Sequence, residues 1–314
     1  MTSTPVELEA PAVSEYRDGG TGIDYMTTFD SGKPGPHVMV NAVTHGNEIC
    51  GAIAVDFLFR EKVRPLRGKL TLGFANYQAF LSFDPRYPGL SRYVDEDFNR
   101  LWSESVLDGD RDSVELRRAR EIRPLIDTVD LLLDLHSMQT SAPALMLAGP
   151  LDKGRELAAA VGVPEYVVSD EGHAAGKRMR DYADFGDPAS PKNALLVECG
   201  QHWEKSSADV ALQTTLRFLR HCDTTDQDFL DAHITDASPQ KFVTVTDAVT
   251  IKNDDFTFVD EFNGMEVIAK EGSVLAHDGP DPVKTPYDDC VLIMPTRRTA
   301  PGQTAVRLGR FTKR

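Results

Sequence analysis

His45 and Glu48 stand three residues apart in NAVTHGNEICGA (41–52), in a turn with Gly46 and Asn47 between an apolar run and a helical pattern. A histidine and a glutamate at that spacing can give one metal ion two ligands from a single turn. Glu48 can equally be an acidic residue of a first helical turn, where it complements the helix dipole. His136 and Glu198 sit at the ends of two further apolar runs, DLLLDLHS (130–137) and NALLVECG (193–200). Zinc takes nitrogen and carboxylate ligands in a tetrahedron, with one position left open in catalytic sites. His45, Glu48 and His136 make such a set. Glu198, directly after an apolar strand, is an odd choice for a purely structural carboxylate. SRYVDEDFNRLW (91–102) crowds Arg92, Asp95, Glu96, Asp97, Asn99 and Arg100 together, while Phe98, Leu101 and Trp102 imply that this charged loop is pinned against a core.

Positioning these residues requires strands that end on one edge. PHVMVNAV (36–43) reads as a buried strand and KLTLGFAN (69–76) as a second, with 130–137 and 193–200 as two more. Residues 48–62 carry Ile49, Ala52, Ile53, Phe57 and Leu58 on one stripe, and 113–126 repeat Leu116, Ala119, Ile122 and Leu125 at helical spacing. Ser206 with Asp209 suggests a capping box opening a helix that runs to about 221. Strands alternating with helices predict an α/β fold, a mostly parallel mixed sheet with helices on both faces. In such folds ligands bind beyond the carboxyl ends of the strands, where His45, His136 and Glu198 fall. Residues 223–239 are polar and acidic and read as a linker between a catalytic domain, 1–222, and a small all-β domain, 240–314. That domain is read from KFVTVTDAVTI, MEVIAK, CVLIMP and TAVRLG.

The 314-residue chain has 34 basic and 49 acidic residues, a formal net charge of −15. Nucleic-acid binding needs a positive surface, so that class is disfavoured, as are anionic membranes. No apolar run has the length of a membrane span. The N-terminus lacks the basic start and apolar stretch of a secretory signal. Cys50, Cys199, Cys222 and Cys290 are scattered, which predicts reduced thiols in a cytoplasm. Cys199 reads as a small buried residue, and His173, His202 and His277 as ordinary histidines. A homo-oligomer is compatible with the sequence.

HGNE at 45–48, DFNR at 97–100, DLHS at 134–137 and ECG at 198–200, in this order, resemble the succinylglutamate desuccinylase/aspartoacylase family, deacylases related to the zinc carboxypeptidases. The resemblance covers most of 36–222 and fits a two-domain plan. It implies one zinc per chain on His45, Glu48 and His136. It implies that Asp97 holds the His45 ring, with Asp134 a rival for that task. Asn99 and Arg100 would bind a substrate carboxylate, for which an arginine fork is suited. Arg92, eight before Arg100 as in the family pattern, would stabilise the oxyanion, and Glu198 would be the general base. Relatives carry a further carboxylate-binding arginine before the Glu198 strand; Lys177, Arg178 and Arg180 match that spacing poorly and read as an exposed basic helix face. Tyr287, in KTPYDD, is a candidate lid residue.

The expected reaction is removal of an acyl group from a small anionic N-acylated amino acid. With a net charge of −15, local cations must attract that substrate within a Debye length of about 8 Å. A carboxypeptidase acting on peptides would use the same metal and glutamate. A zinc-binding protein without catalysis is a third reading, against which the intact Glu198 argues.

Overall fold

The computed structural model describes residues 5–172, 175–297 and 299–313. Its strands are β1 Met26–Asp30, β2 His37–Ala42, β3 Lys69–Phe74, β4 Leu131–Met138, β5 Leu145–Leu147, β6 Tyr166–Ser169 and β7 Asn193–Gln201, followed by β8 Lys241–Thr250, β9 Phe256–Phe258, β10 Val267–Ile268, β11 Val274–Asp278, β12 Asp281–Lys284, β13 Cys290–Ile293 and β14 Thr304–Thr312. Its helices are α1 Ile49–Arg60, α2 Tyr77–Leu81, α3 Glu104–Leu107, α4 Val114–Ile126, α5 Asp152–Val161, α6 Lys205–Cys222 and α7 Gln227–His233. None of the helices among the described residues is long and apolar enough to cross a membrane.

An eleven-stranded mixed sheet runs β1-β3-β2-β4-β7-β5-β6-β8-β14-β13-β10. β2, β4 and β7 lie parallel at its heart. Every residue of β2 and β7 is buried. Strands covered on both faces read as continuous apolar runs rather than alternating ones, which is why they were visible as such. One face packs Val40, Leu133 and Leu195 against α1, α5 and α6 through Leu58, Leu157, Leu216 and Phe218. The other packs Met39 and Leu132 against α4 and the charged loop through Leu116, Phe98, Leu101 and Trp102. The two-faced helical cover expected from the sequence is therefore present.

Several expectations are corrected. The change of composition near 223–240 is not a break in hydrogen bonding. β8 pairs in parallel with β6, and β14, β13 and β10 extend the same sheet. Only β9, β11 and β12 form a separate three-stranded antiparallel sheet. Composition reports burial, and only Phe242 and Val243 of β8 are buried; pairing along a strand edge leaves no compositional mark. The expected linker contains α7, whose Asp226 cap accepts the Asp228 and Phe229 amides at 3.0 and 3.2 Å, and Leu230 is buried in the core. The Ser206–Asp209 capping box does not form. α6 starts at Lys205, whose amide donates to Glu7 Oε2 at 3.1 Å, so a tertiary contact takes the place of the local cap. His136 and Glu198 lie inside β4 and β7 rather than beyond them, and are register partners across that parallel pair.

Candidate active site

β2 ends at Ala42, and the chain turns sharply through Val43, whose φ is +51°. A β-branched residue in the left-handed region costs on the order of 1–3 kcal/mol, which the surrounding packing must offset. Asn41 Nδ2 and Thr44 Oγ1 both donate to Asp134 Oδ1, at 2.7 and 2.8 Å, and fasten the turn to β4. Gly46 is demanded by crowding: a Cβ there would sit 2.4 Å from Phe80 N and Ser91 O. Its amide donates to Arg92 O at 3.0 Å and ties the turn to the charged loop. Glu48 occupies the cap position of α1 but makes no side-chain cap bond. Its carboxylate faces two imidazoles instead.

Glu48 Oε1 lies 2.8 Å from His45 Nδ1, and Glu48 Oε2 lies 2.9 Å from His136 Nδ1. The outer nitrogen of each ring meets a carboxylate: His45 Nε2 meets Asp97 Oδ1, and His136 Nε2 meets Asp134 Oδ2, both at 2.8 Å. The Asp97 and Asp134 alternatives thus resolve into one carboxylate per ring. A proton on Nε2, donated to the carboxylate, would leave Nδ1 bare and turned toward Glu48, the tautomer a metal ion needs; His136 Nε2 meets only Asp134, whereas His45 Nε2 is shared by Asp97 and by Arg92 Nη2 at 2.9 Å. One potential ligand atom from each of His45, Glu48 and His136 lies within 4.8 Å of the others. Glu48, Asp97, Asp134 and Glu198 crowd four carboxylates around two imidazoles and Arg92, a charge balance that favours a cation. The donor set fits zinc. In the protein without a cation, burial works against the His136 imidazolium, but Asp134 and Glu48 outweigh it and raise its pKa well above the usual value. Burial also opposes ionisation of Glu48, and the His45 and His136 rings overcome it.

The charged loop is held by a buried acid. Glu115 in α4 accepts the amides of Val94, Asp95 and Glu96 at 2.6, 3.0 and 3.2 Å. Arg92 then reaches Asp97 Oδ2 at 3.1 Å and Glu48 Oε1 at 3.3 Å. Asn99 is fixed by accepting the Met179 amide through Oδ1 at 2.9 Å. Arg100 donates to Asn99 O at 2.7 Å and lines the cleft.

Glu198 is buried in the same cleft, and its Oε2 has no hydrogen-bond partner. Burial first, then the Glu48 carboxylate, push its pKa up to about 7, against the pull of His136, His45 and Arg92. The cleft holds about 470 Å³, and Met294–Arg297, Gly302–Thr304 and Arg307 contribute to its lining. A wider groove of about 780 Å³ lies over Phe242 and Phe311, away from these groups.

Residues 34–222 match the succinylglutamate desuccinylase/aspartoacylase catalytic domain. The chain belongs to this family. Its fold is similar to that of a succinylglutamate desuccinylase from Vibrio parahaemolyticus, 16% identical, with a TM-score of 0.67 over 92% of this chain and 87% of that one. It is also similar to a product-bound ectoine utilization protein from Ruegeria pomeroyi, 19% identical, with a TM-score of 0.61 over 90% and 88%. A succinylglutamate desuccinylase/aspartoacylase from Rhodobacter sphaeroides is 15% identical, with a TM-score of 0.64 over 97% and 94%. None of the curated proteins matches the chain in sequence. Family membership supports an acyl-amino-acid hydrolase with a His45–Glu48–His136 group able to hold a metal ion.

Set in this deacylase family, the structure gathers His45, Glu48, Arg92, Asp97, Asn99, Arg100, His136 and Glu198 in one cleft. Tyr287 is not there. It packs with Leu292 and Leu308, its hydroxyl meets Thr246 Oγ1, and Arg310 covers its ring at 3.6 Å. The stiff turn that carries it points into the C-terminal strands rather than over the cleft. Arg178 and Arg180 do not form an exposed helix face. Arg178 is buried, lines the cleft and binds Asp170 and Asp181, whereas Arg180 is spent on Ala148 O, Ala194 O and Asp181. Lys177 is exposed.

His202, read as ordinary, lines the cleft: its Nδ1 lies 2.8 Å from Ser137 Oγ, and burial drives its pKa down to about 3. The two-residue alternation Glu198, Gly200, His202 could have placed it on that face. Arg307, a lone cation between buried Val306 and Leu308, was legible only as an oddity. His277 is exposed, and His173 lies outside the described residues. All four cysteines are free and buried, and burial raises the Cys199 pKa well above its usual value, as suits an inert thiol.

Proposed function

We propose that this chain is a zinc-dependent hydrolase that removes the acyl group from an N-acyl amino acid or a similar small amide, with one zinc per chain on His45, Glu48 and His136. When bound, zinc would acidify a water molecule and polarise the amide carbonyl. Glu198 carries the reading: a buried carboxylate with an unpartnered oxygen stands beside the ligand group. It would take a proton from the attacking water and deliver it to the leaving nitrogen. Arg92 would lend its guanidinium to the negative charge that grows on the carbonyl oxygen. Asp97 and Asp134 would hold the two imidazoles in the tautomer that binds a cation. Asn99 and Arg100 would hold a substrate carboxylate, turning a bimolecular encounter into an oriented one. Met294–Arg297, Gly302–Thr304 and Arg307 line the cleft, and a mouth bounded by them would favour small amides over long peptides. Release of amine from N-acyl amino acids, measured beside release of C-terminal residues from a long peptide, tests this. Efficient peptide trimming would make the chain a carboxypeptidase.

A further inference from the structure

Gln201, His202 and Trp203 follow the Glu198 motif and have no part in the chemistry described so far, yet all three are buried. The register of β4 against β7 slips by one residue between the His136–Glu198 and Met138–Gln201 pairs. Gly200, within the slip, has a φ of +103°, a conformation that favours glycine. A bulge of this kind re-aims the side chains around it. His202 N then donates to Met138 O at 2.8 Å, and its ring sets Nδ1 2.8 Å from Ser137 Oγ. Ser137 is the chain neighbour of His136, and its amide donates to Glu48 Oε2 at 3.2 Å. One residue on, the Trp203 indole Nε1 donates to Asn47 O at 3.1 Å, and Asn47 is the chain neighbour of Glu48. Trp203 is itself fixed at both ends of its backbone. Its amide donates to Gln201 Oε1 at 2.8 Å, and its carbonyl accepts the Glu7 amide at 3.0 Å. Two successive side chains therefore grip the residue after one potential ligand and the residue before another.

We propose that His202 and Trp203 are positioning residues, a clasp that acts through Ser137 and Asn47 to hold His136 and Glu48 at the separation a metal ion requires. The inference rests on the metal assignment made with the deacylase reading, but it concerns the order of the ligands and not the reaction. His136 lies within β4, whereas Glu48 caps α1, so no single element fixes the distance between them. A working metal site needs its ligands held within about 0.5 Å of the productive geometry. Without the clasp, the turn before Glu48 would keep its bonds to Asp134 Oδ1 and Arg92 O. The ligands would still be present, only less well ordered. The expected consequence is weaker metal binding and a changed ligand field, with the fold retained.

The test uses the full-length protein, stripped of metal and reloaded with zinc or with cobalt(II). Zinc is d¹⁰ and gives no ligand-field bands, whereas the visible absorption of cobalt in the same site reports ligand geometry. Ser137→Ala removes the hydroxyl and keeps the amide that meets Glu48. His202→Leu removes the ring nitrogen, and His202→Asn returns a polar atom near the position of Nδ1. Trp203→Phe removes the indole N–H and keeps a ring. Ser137→Ala, His202→Leu and Trp203→Phe should each weaken zinc binding by about fivefold, read by competition with a chelator. That is less than the roughly 10–100-fold typical of groups bonded directly to the ligands. The cobalt bands should shift in these three variants, and His202→Asn should restore both readouts toward those of the unaltered protein. If His202→Leu does not fold, Ser137→Ala tests the same bond from its other side. A lower Tm of the metal-free protein, with zinc affinity and cobalt bands unchanged in the folded variants, would make these residues merely structural and overturn the proposal. Metal binding that follows the clasp supports it even if no N-acyl amide is cleaved, in which case the deacylase reading fails alone. Hydrolysis by a protein whose metal affinity is indifferent to the clasp overturns the clasp and leaves that reading standing. An unaltered protein that takes up neither metal overturns both.

Discussion

The two walls of the cleft carry opposite charge and are built differently. The acidic wall comes from the ends of β2, β4 and β7 and the loop held by Glu115. Each imidazole there has a carboxylate on its outer nitrogen, and the inner nitrogens converge. The basic wall comes from Arg100 at the far end of the charged loop, Arg178 just ahead of the Met179–Asp181 turn and Arg307 on β14, and leaves Arg100 and Arg307 short of partners. The first wall is suited to a cation, the second to anions. Damage to the acidic wall should therefore appear in metal content or turnover, and damage to the basic wall in KM.

The largest effect falls on the acidic side. Glu198→Gln is nearly isosteric and removes a base rather than a ligand. It should lower kcat by roughly 10²–10⁴-fold while zinc content and KM stay close to those of the unaltered protein. Turnover at the original rate would reduce Glu198 to a structural carboxylate. Next come the carboxylates behind the rings. Asp97→Asn and Asp134→Asn should each weaken zinc binding by roughly 10–100-fold, read by competition with a chelator. If only one does so, the walls are less symmetric in their support of the two rings than the 2.8 Å contacts indicate.

Protons compete with the metal on this wall, and the sign can be worked out. His136 has a folded pKa raised above its reference value of 6.5, so its stabilisation is present below 6.5 and is lost as pH rises through the raised value. Glu198 goes from a reference of 4.5 to about 7, so the folded protein disfavours its ionised form and loses stability between those values as pH rises. Both effects weaken the metal-free protein toward alkaline pH, while zinc displaces the His136 proton. The rise in Tm on adding zinc should be larger at pH 8 than at pH 6. An equal rise at both values contradicts this protonation scheme. A smaller effect belongs to the basic wall: Arg100→Lys should raise KM with little change in kcat, since a fork is replaced by a point charge. A fall in kcat alone would move Arg100 from binding to chemistry.

The same contrast explains what the sequence could reveal. The acidic wall was legible because His45 follows, and His136 and Glu198 sit within, doubly covered strands whose apolar runs stand out, and because four short motifs in order carry His45, Asp97, His136 and Glu198. The loop's anchoring by Phe98 and Trp102 was readable from composition, but its anchoring by Glu115 was not, since a helix-face glutamate normally reads as solvated. The basic wall was nearly invisible. Arg307 reaches the cleft only because β8 joins β6 and brings β14 alongside, and a long-range parallel pairing leaves no local signal. His202 lies one residue beyond the end of β7, where strand alternation is a weak guide, so it read as an ordinary histidine. The capping box failed because Glu7, nearly two hundred residues away, satisfies the helix start. The acidic stretch 223–239 looked unstructured because α7 buries little more than Leu230.

The smallest expected effect marks where the basic wall stops. Tyr287 and Arg307 both belong to the C-terminal strands, yet only Arg307 lines the cleft. The Tyr287 hydroxyl is engaged by Thr246 on β8, and its ring lies between Arg310 and the apolar cluster around Leu292. Tyr287→Phe removes one hydroxyl from a partly exposed contact and leaves the ring packing intact. A net hydrogen bond of this kind contributes about 0.5–1.5 kcal/mol, so Tm should drop slightly. With no path from the ring to the ligand group, kcat/KM should stay within about twofold, the scale on which surface substitutions act. A tenfold loss of kcat/KM in Tyr287→Phe, with zinc content unchanged, would mean that the C-terminal strands close over the cleft during turnover and carry the tyrosine with them.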